Sequence, residues 1–293
     1  MGMMLVLQGH EKDLGGGFRV RRLLPALQRQ AVGPFLFFDH FGPVSVSPGE
    51  DHDVRPHPHI GLATVTYLFE GAILHRDSLG SVQRIEPGAI NWMTAGRGIV
   101  HSERRPDELR QQTHTNHGIQ LWAALPLGHE EAEPRFEHTA ADALPELQLG
   151  DARVRLLIGD AFGQRSPVST FSPTLYLDVQ LPAGGRLELP PLAEELAVYA
   201  VDGPLRVDGE PLEAQRLAVL VPDRGAHLQA DAAARFMVLG GEALDGPRYI
   251  WWNFVSSRRA RIEQAAEDWL AQRLGQVPGE TEFVPLPERR FKA

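Results

Sequence analysis

Short runs of Val, Leu, Ile, Tyr and Phe, separated by Gly and Pro, recur along most of this chain. Its 293 residues include 29 Gly and 23 Pro. Gly and Pro interrupt regular structure, and many short strands joined by turns are typical of β-sandwiches and β-barrels. We therefore predict an all-β fold with strands at these eight runs: Thr64–Phe69, Ser81–Ile85, Gly118–Ala123, Val154–Ile158, Leu175–Gln180, Leu196–Val201, Leu217–Val221 and Arg235–Leu239.

The last part of the chain has the pattern of a helix. This helix is predicted to begin after Ser256 or Ser257, either of which suits an N-cap, and to stop at Gly275. Its apolar residues recur at helical spacing and form one stripe, made of Ile262, Ala265, Ala266, Trp269 and Leu270. We expect the stripe to pack on a barrel. The Pro-rich and charged segment 277–293 is then an extended or partly disordered tail.

An internal similarity suggests that the chain contains two barrels. The segment Tyr67–Gly71 resembles Tyr199–Gly203, which follows 132 residues later, and a strand and a Pro-containing turn come after each. Repeats of this kind, together with a length suited to two domains, indicate tandem copies of one fold. We predict an N-terminal barrel at 1–140, a C-terminal barrel at 141–245, and a C-terminal helix and tail at 246–293 packing on the barrels.

Composition excludes several classes of site and partner. The chain has no Cys, which excludes disulfides, thiolate metal sites and cysteine nucleophiles, so any metal must be held by imidazole, carboxylate or water. The net charge of −9 disfavours direct binding to nucleic acid. No signal-peptide pattern and no apolar stretch of roughly 18 residues is present, so we expect a cytoplasmic protein without a membrane span.

Two short patterns within a histidine-rich part of the chain have the spacing of metal ligands. His57 and His59 form one pair, and His101 and Glu103 form the other, about 42 residues further on. In a strand, residues two apart share a face, so each pair projects together and the four side chains converge if the strands are neighbours. From the residues alone, exposed or hydrogen-bonded pairs remain an alternative. Imidazole with one carboxylate suits Fe(II), Mn(II), Ni(II) or Zn(II), and iron is favoured.

Longer motifs give the chain a resemblance to a known family. The segments Arg55–Gly71 (RPHPHIGLATVTYLFEG) and Pro87–Glu103 (PGAINWMTAGRGIVHSE) resemble two long motifs of the pirin family, whose members are bicupins. Shorter matches support this resemblance, which covers roughly residues 14–245, and they are Phe38–Phe41, His117–Trp122 and Ser172–Asp178. The resemblance implies two tandem cupin barrels of jelly-roll type, followed by the C-terminal helix.

The resemblance also implies a metal site. His57, His59, His101 and Glu103 match the positions of the family's iron ligands, so we expect one Fe(II)/Fe(III) ion per chain, with Mn, Ni, Cu or Zn as alternatives. The Glu of the general cupin motif would fall near Ala63, and Glu103 supplies the carboxylate instead. In the second barrel the 132-residue offset places Leu189 and Pro191 at the histidine positions. We expect no second metal there and read His227 as a surface or hydrogen-bonded residue.

Three interpretations of the metal site are open, and the resemblance implies the first two. The first is quercetin 2,3-dioxygenase activity on a small aromatic substrate such as a flavonol, with Glu103 as a fourth ligand or as the catalytic base. His117 and Gln120 are then candidates for residues that contact the metal ligands without contacting the metal. The second is an iron-dependent redox sensor that binds a regulatory protein partner, either a transcription factor or a metabolic enzyme. The third is a structural or vestigial metal. A bicupin pairs two barrels in one chain, so we expect a monomer.

Overall fold

The structure is a computed structural model that describes residues 4–14, 18–50, 52–288 and 291. It divides into two compact units, each built from separate stretches of chain. The described residues of Lys12–Val20, His40–His138 and Asp245–Ala293 form the unit that we call the N-terminal barrel. Those of Met1–Glu11, Arg21–Asp39 and Thr139–Leu244 form the C-terminal barrel. The domain boundaries at residues 140 and 245 stay a prediction.

Strands β2 to β12 form two sheets in the described part of the chain. Their bounds are β2 (His10–Asp13), β3 (Arg19–Leu24), β4 (Phe35–Val46), β5 (Val54–His59), β6 (Leu62–Glu70), β7 (Ile73–Asp77), β8 (Val82–Ile85), β9 (Ile90–Thr94), β10 (Ile99–Arg104), β11 (His114–Ala124) and β12 (Arg135–Thr139). One sheet has the order β12-β9-β6-β11-β4-β3-β2, and the other has the order β5-β10-β7-β8.

The remaining strands belong mainly to the C-terminal barrel. They are β1 (Leu5–Leu7), β13 (Glu146–Leu149), β14 (Ala152–Ile158), β15 (Asp160–Ala161), β16 (Gln164–Arg165), β17 (Thr174–Leu181), β18 (Arg186–Leu189), β19 (Glu195–Asp202), β20 (Leu205–Val207), β21 (Glu210–Leu212), β22 (Leu217–Val219), β23 (Ala226–Ala230), β24 (Ala234–Gly241), β25 (Tyr249–Trp251) and β26 (Phe254–Ser256). The larger sheet has the order β1-β22-β19-β24-β17-β14-β13, and the smaller has the order β18-β23-β20-β21. Strands β15 and β16 form a small ribbon, and so do β25 and β26, which lie in the N-terminal barrel.

The two barrels repeat one topology, as the sequence similarity predicted. The order β9-β6-β11-β4 in one sheet corresponds to β22-β19-β24-β17 in the other. Likewise, β5-β10-β7-β8 corresponds to β18-β23-β20-β21. Tyr67 and Tyr199, which revealed the repeat, lie on the equivalent strands β6 and β19. The predicted all-β fold with two tandem barrels is confirmed, and each of the eight predicted runs overlaps a strand.

The α-helix of the described chain, α1, spans Arg259–Leu270. The predicted serine cap is wrong, because the N-cap is Arg258 and no side chain caps the helix there. Ser256 ends β26, and the backbone N–H and hydroxyl of Ser257 bind the carboxylate of Glu130 instead. The helix also ends five residues before Gly275.

Most of the predicted apolar stripe of α1 packs on the N-terminal barrel. Ile262, Ala265 and Trp269 are buried in a cluster that contains Ile60 and Val100 of the N-terminal barrel, whereas Leu270, predicted on the stripe, is 70% exposed. The predicted tail is described except at 289, 290, 292 and 293. No described helix is both long enough and apolar enough to cross a bilayer. Short 3-10 turns occur at Asp107–Leu109, Leu127–His129 and Ala141–Ala143.

Candidate metal centre

Strands β5 and β10 carry the predicted ligands and run antiparallel as neighbours. Their register places His101 directly opposite His57. Because side chains two residues apart on a strand share a face, His59 points to the same side as this pair. Strand β5 is an edge of its sheet, where prolines are tolerated because the lost N–H is not needed for a second neighbour. The alternation of Pro56 and Pro58 with the histidines is therefore compatible with the strand.

The three imidazoles meet in the interior of the N-terminal barrel. One ligand nitrogen of each ring lies within 4.8 Å of those of the other two. Ring centroids are 4.3 Å apart for His57 and His101, 5.0 Å for His57 and His59, and 5.1 Å for His59 and His101. The residues keep only 8%, 1% and 2% of their surface exposed, in chain order. Among the described residues, this is the group whose spacing suits a metal ion.

The ring nitrogens are arranged to receive a cation. Nδ1 of His57 donates to the carbonyl oxygen of Arg55 at 2.9 Å, which leaves Nε2 with a free lone pair. Nδ1 of His59 and Nε2 of His101 are buried and have no hydrogen-bond partner. Each such orphaned group costs about 1–3 kcal/mol. A metal ion held by the three imidazoles would satisfy these atoms, so the residues fit the metal that the sequence predicts.

Burial keeps the three imidazoles neutral. Loss of hydration lowers the pKa of His57 to about 4, against the opposing effect of its hydrogen bond to Arg55. The pKa values of His59 and His101 lie well below the usual range, first because of burial and then because of the neighbouring imidazoles. Since metals bind the neutral ring, these histidines need not lose a proton to bind one at neutral pH.

Glu103, the predicted fourth ligand, faces the same side of β10 as His101 but is not a member of the group of mutually close ligand atoms. The ladder between β5 and β10 is irregular after His101, so that Glu103 pairs with Val54. This bulge gives Glu103 a different relation to β5 from that of His101. Loss of hydration raises the pKa of Glu103 to about 7. Its roles as ligand and as catalytic base stay predictions.

A second polar pair, missed in the sequence, lies against His101. Nδ1 of His75 is 3.4 Å from Nδ1 of His101, and Nε2 of His75 is 3.1 Å from a carboxylate oxygen of Asp77. Burial alone would raise the pKa of Asp77, but hydrogen bonds from His75 and Ser81 outweigh it and lower that pKa. The signal was present in the sequence as a third alternation, His-x-Asp, on strand β7.

Three residues of the matched segment His117–Trp122 lie in different places. The rings of Trp122 and His59 form a T-shaped pair with centroids 5.1 Å apart, so Trp122 lines the centre. Gln120 accepts a hydrogen bond from a threonine of β6. His117 lies against His40, with their Nε2 atoms 2.8 Å apart. The contacts predicted between these two residues and the metal ligands stay predictions.

The equivalent ladder of the C-terminal barrel carries aliphatic side chains. Strand β23 places Leu228 opposite Leu187, as β10 places His101 opposite His57. The positions equivalent to the two histidines of β5 are therefore Leu187 and Leu189. The predicted alignment to Leu189 and Pro191 was wrong by two residues, because the connection after β18 is longer than the one after β5.

Comparisons with known proteins agree with this architecture. Residues 17–123 match the family model described as Pirin, and residues 176–275 match the model described as Pirin C-terminal cupin domain. A "Pirin-like protein" of Caulobacter vibrioides is 47% identical over 97% of this chain and 99% of its own length. The protein named "Pirin" of Rattus norvegicus is 32% identical over 90% of both chains.

A solved structure extends the likeness to three dimensions. The crystal structure titled quercetin 2,3-dioxygenase from Acinetobacter baumannii superposes with a TM-score of 0.91 at 33% identity, covering 99% of this chain and 97% of that one. The family models together match well over half of the chain. The chain is therefore a member of the pirin family, and its two barrels are the tandem cupin domains of that family.

Proposed function

We propose that this protein is a mononuclear iron dioxygenase that opens the ring of a flavonol such as quercetin. The observation that carries the proposal is the buried convergence of three neutral imidazoles, two of which have ring nitrogens without a partner. The similarity to a protein titled quercetin 2,3-dioxygenase supports this choice of reaction. When bound, an iron ion supplies open coordination positions for substrate and dioxygen.

Different residues of the site have different roles in this proposal. His57, His59 and His101 hold the ion, and Trp122 flanks the site through its contact with His59. Glu103 faces the same side as His101, and we assign it to accept the proton of the flavonol hydroxyl. Direct binding of the Glu103 carboxylate to the ion is the alternative. As a ligand, Glu103 would supply the negative charge that three neutral imidazoles lack; as a base, it becomes neutral and leaves that charge on the flavonolate oxygen.

Iron is proposed over the other candidates because of the ligand set. The chain has no Cys, so the soft thiolate donors of many zinc and copper sites are absent. Imidazoles with a carboxylate and open positions are typical of non-haem iron oxygenases. Manganese, nickel, copper and zinc accept similar donors, so metal analysis of the purified protein decides between them.

Metal content and turnover must be measured on the same samples. The protein is purified anaerobically, its metal is quantified by mass spectrometry, and loss of quercetin absorbance is followed after oxygen is admitted. We expect one iron per chain and turnover that stops in His101→Ala. The matched control is His227→Ala, which removes an exposed histidine of the C-terminal barrel and should keep both metal and turnover.

The other outcomes each contradict a different part of the proposal. Stoichiometric iron without quercetin loss would reject the dioxygenase and favour the iron-dependent redox-sensing regulator. A protein that takes up no metal after anaerobic loading would reject the metal centre itself. Turnover that survives His101→Ala would place the reaction at another site.

A further inference from the structure

A buried pair on β7, His75 and Asp77, lies against the metal centre without belonging to it. The register places Asp77 opposite His101 and His75 opposite Glu103. The exposed fraction is 2% for His75 and 0% for Asp77. We propose that His75 and Asp77 are positioning residues that fix the tautomer of His101, so that its Nε2 lone pair is directed to the metal.

The carboxylate of Asp77 is the fixed end of this chain of hydrogen bonds. Its Oδ1 accepts the backbone N–H groups of Leu79 at 2.9 Å and Ser81 at 3.0 Å. These bonds hold the carboxylate in one orientation and leave Oδ2 to face Nε2 of His75 at 3.1 Å. An ionised carboxylate only accepts hydrogen bonds, so the proton between them is on Nε2 of His75.

The position of the proton on His75 determines which nitrogen of His101 carries a proton. A neutral imidazole that donates from Nε2 has its acceptor at Nδ1, and Nδ1 of His75 lies 3.4 Å from Nδ1 of His101. His101 must then donate from Nδ1, which leaves its Nε2 without a proton. That Nε2 is the buried atom without a hydrogen-bond partner. Partners of metal-binding histidines commonly fix the ring tautomer in this way.

Packing holds the ring of His75, which lies between Asp77 and His101, in place. The ring of Phe136 stacks on the ring of His75 with centroids 4.1 Å apart and an angle of 12° between planes. The ring of His101 also lies close to that of His75, with centroids 5.3 Å apart. A histidine confined in this way cannot turn to exchange its two nitrogens without displacing the stacked phenyl ring.

The C-terminal barrel shows that the fold does not need a polar pair at these positions. Its equivalent residues are Leu205 and Val207, since Val207 lies opposite Leu228 and Leu205 opposite Ala230. Both belong to an apolar core. Burying an ionised carboxylate is unfavourable compared with such a core. The His75–Asp77 pair is found in the barrel that also has the three-histidine group.

The inference rests on the metal centre of the proposed function but not on the dioxygenase reaction. The first test therefore uses the metal-free protein. Long-range proton–nitrogen NMR of the histidine rings distinguishes the two neutral tautomers, and signals of His101 are assigned by their loss in His101→Gln. We expect His101 protonated at Nδ1 and His75 protonated at Nε2. The opposite tautomer at His101 would overturn the proposal, and this measurement needs no variant of the pair.

The second test reverses the chain of hydrogen bonds. In Asp77→Asn the amide oxygen must face the N–H groups of Leu79 and Ser81, so the amide NH₂ is turned toward His75. Nε2 of His75 then becomes an acceptor, and both rings are expected to change tautomer. The matched control is Asp208→Asn, which alters an aspartate that accepts a backbone N–H of His227 in the C-terminal barrel. It should leave the ring signals of His75 and His101 unchanged.

Metal affinity supplies an independent readout. In competition with a chromogenic chelator for Zn(II), Asp77→Asn should bind about 10- to 100-fold more weakly than the wild type. Asp208→Asn should bind like the wild type. Unchanged affinity together with unchanged ring signals in Asp77→Asn would overturn the positioning role. If quercetin turnover is absent from the wild type while these results hold, the dioxygenase proposal fails and the positioning role stands.

Discussion

The two barrels share one ladder of strands but point different side chains inward from it. The N-terminal barrel has polar residues at six equivalent inward positions, and the C-terminal barrel has aliphatic ones. In matching order the pairs are His57 and Leu187, His59 and Leu189, His101 and Leu228, Glu103 and Ala230, His75 and Leu205, and Asp77 and Val207. The candidate metal centre is therefore a local exchange of side chains on a framework that also closes around aliphatic residues.

The exchange has an energetic consequence for each barrel. All six aliphatic residues belong to one buried core, and burial of each Leu or Val contributes about 1.5–3 kcal/mol. At these positions the N-terminal barrel lacks this contribution and buries one ring nitrogen of His59 and one of His101 without hydrogen-bond partners. An ion bound by the three histidines would therefore stabilise the N-terminal barrel.

Making the N-terminal ladder resemble the C-terminal one should change the protein most. The triple variant His57→Leu/His59→Leu/His101→Leu should reduce bound metal from one ion per chain to background. Its free energy of unfolding should exceed that of chelator-treated wild type by about 1–3 kcal/mol for each orphaned nitrogen removed. Metal analysis and urea denaturation measure the two effects. Retention of stoichiometric metal would show that the centre lies elsewhere.

Much of this fold and site could be predicted from particular residues. The alternation in β5 and β10 revealed the histidine group, because period-two spacing fixes which side chains share a face whatever the turn between them. Tyr67 and Tyr199 revealed the repeat, because equivalent strands keep similar sequence. The 132-residue offset between them nevertheless aligned His57 with Leu189 instead of Leu187. The loop after β18 is longer than the loop after β5, and this shifts the numbering without changing the ladder.

Other features depend on tertiary contacts that spacing does not contain. Glu103 shares the alternation of His101, but the bulge in the ladder to β5 sets it apart from the histidine group. Ser257 has the chemistry of an N-cap, yet it binds Glu130, which is 127 residues away in the sequence. The pair of His75 with Asp77 is recognisable only when β7 is known to lie beside β10.

The reverse exchange in the C-terminal barrel should have the next largest effect. Leu228→His places an imidazole at the position equivalent to His101, among aliphatic neighbours that offer it no partner. We expect a loss of about 2–5 kcal/mol in the free energy of unfolding and no gain of metal, because one ligand is not a site. The control Leu228→Met keeps the volume and should lose less than about 1.5 kcal/mol. Equal stability of the two variants would mean that this core accepts polar groups.

The outward faces of the equivalent strands β10 and β23 offer a finer comparison. Ser102 donates to Glu280 of the tail at 2.6 Å, and Arg104 binds the same carboxylate. Glu280→Ala should lower the free energy of unfolding by about 1–3 kcal/mol, because it leaves the buried hydroxyl and the guanidinium without this acceptor. Glu280→Gln keeps an acceptor for Ser102 and should lose less. If the two variants lose equally, the charge on Glu280, rather than the hydrogen bond to Ser102, is what stabilises the tail.

The smallest effect is expected on the outward face of β23. His227 precedes Leu228, its side chain is 76% exposed, and its ring pairs with Glu188. Exposed pairs contribute little, so His227→Ala should change the free energy of unfolding by less than about 0.5 kcal/mol and leave the metal content unchanged. Urea denaturation beside Leu228→His tests the contrast between neighbouring residues. If His227→Ala lost nearly as much free energy of unfolding as Leu228→His, the outward face of β23 would be as sensitive to substitution as the inward one.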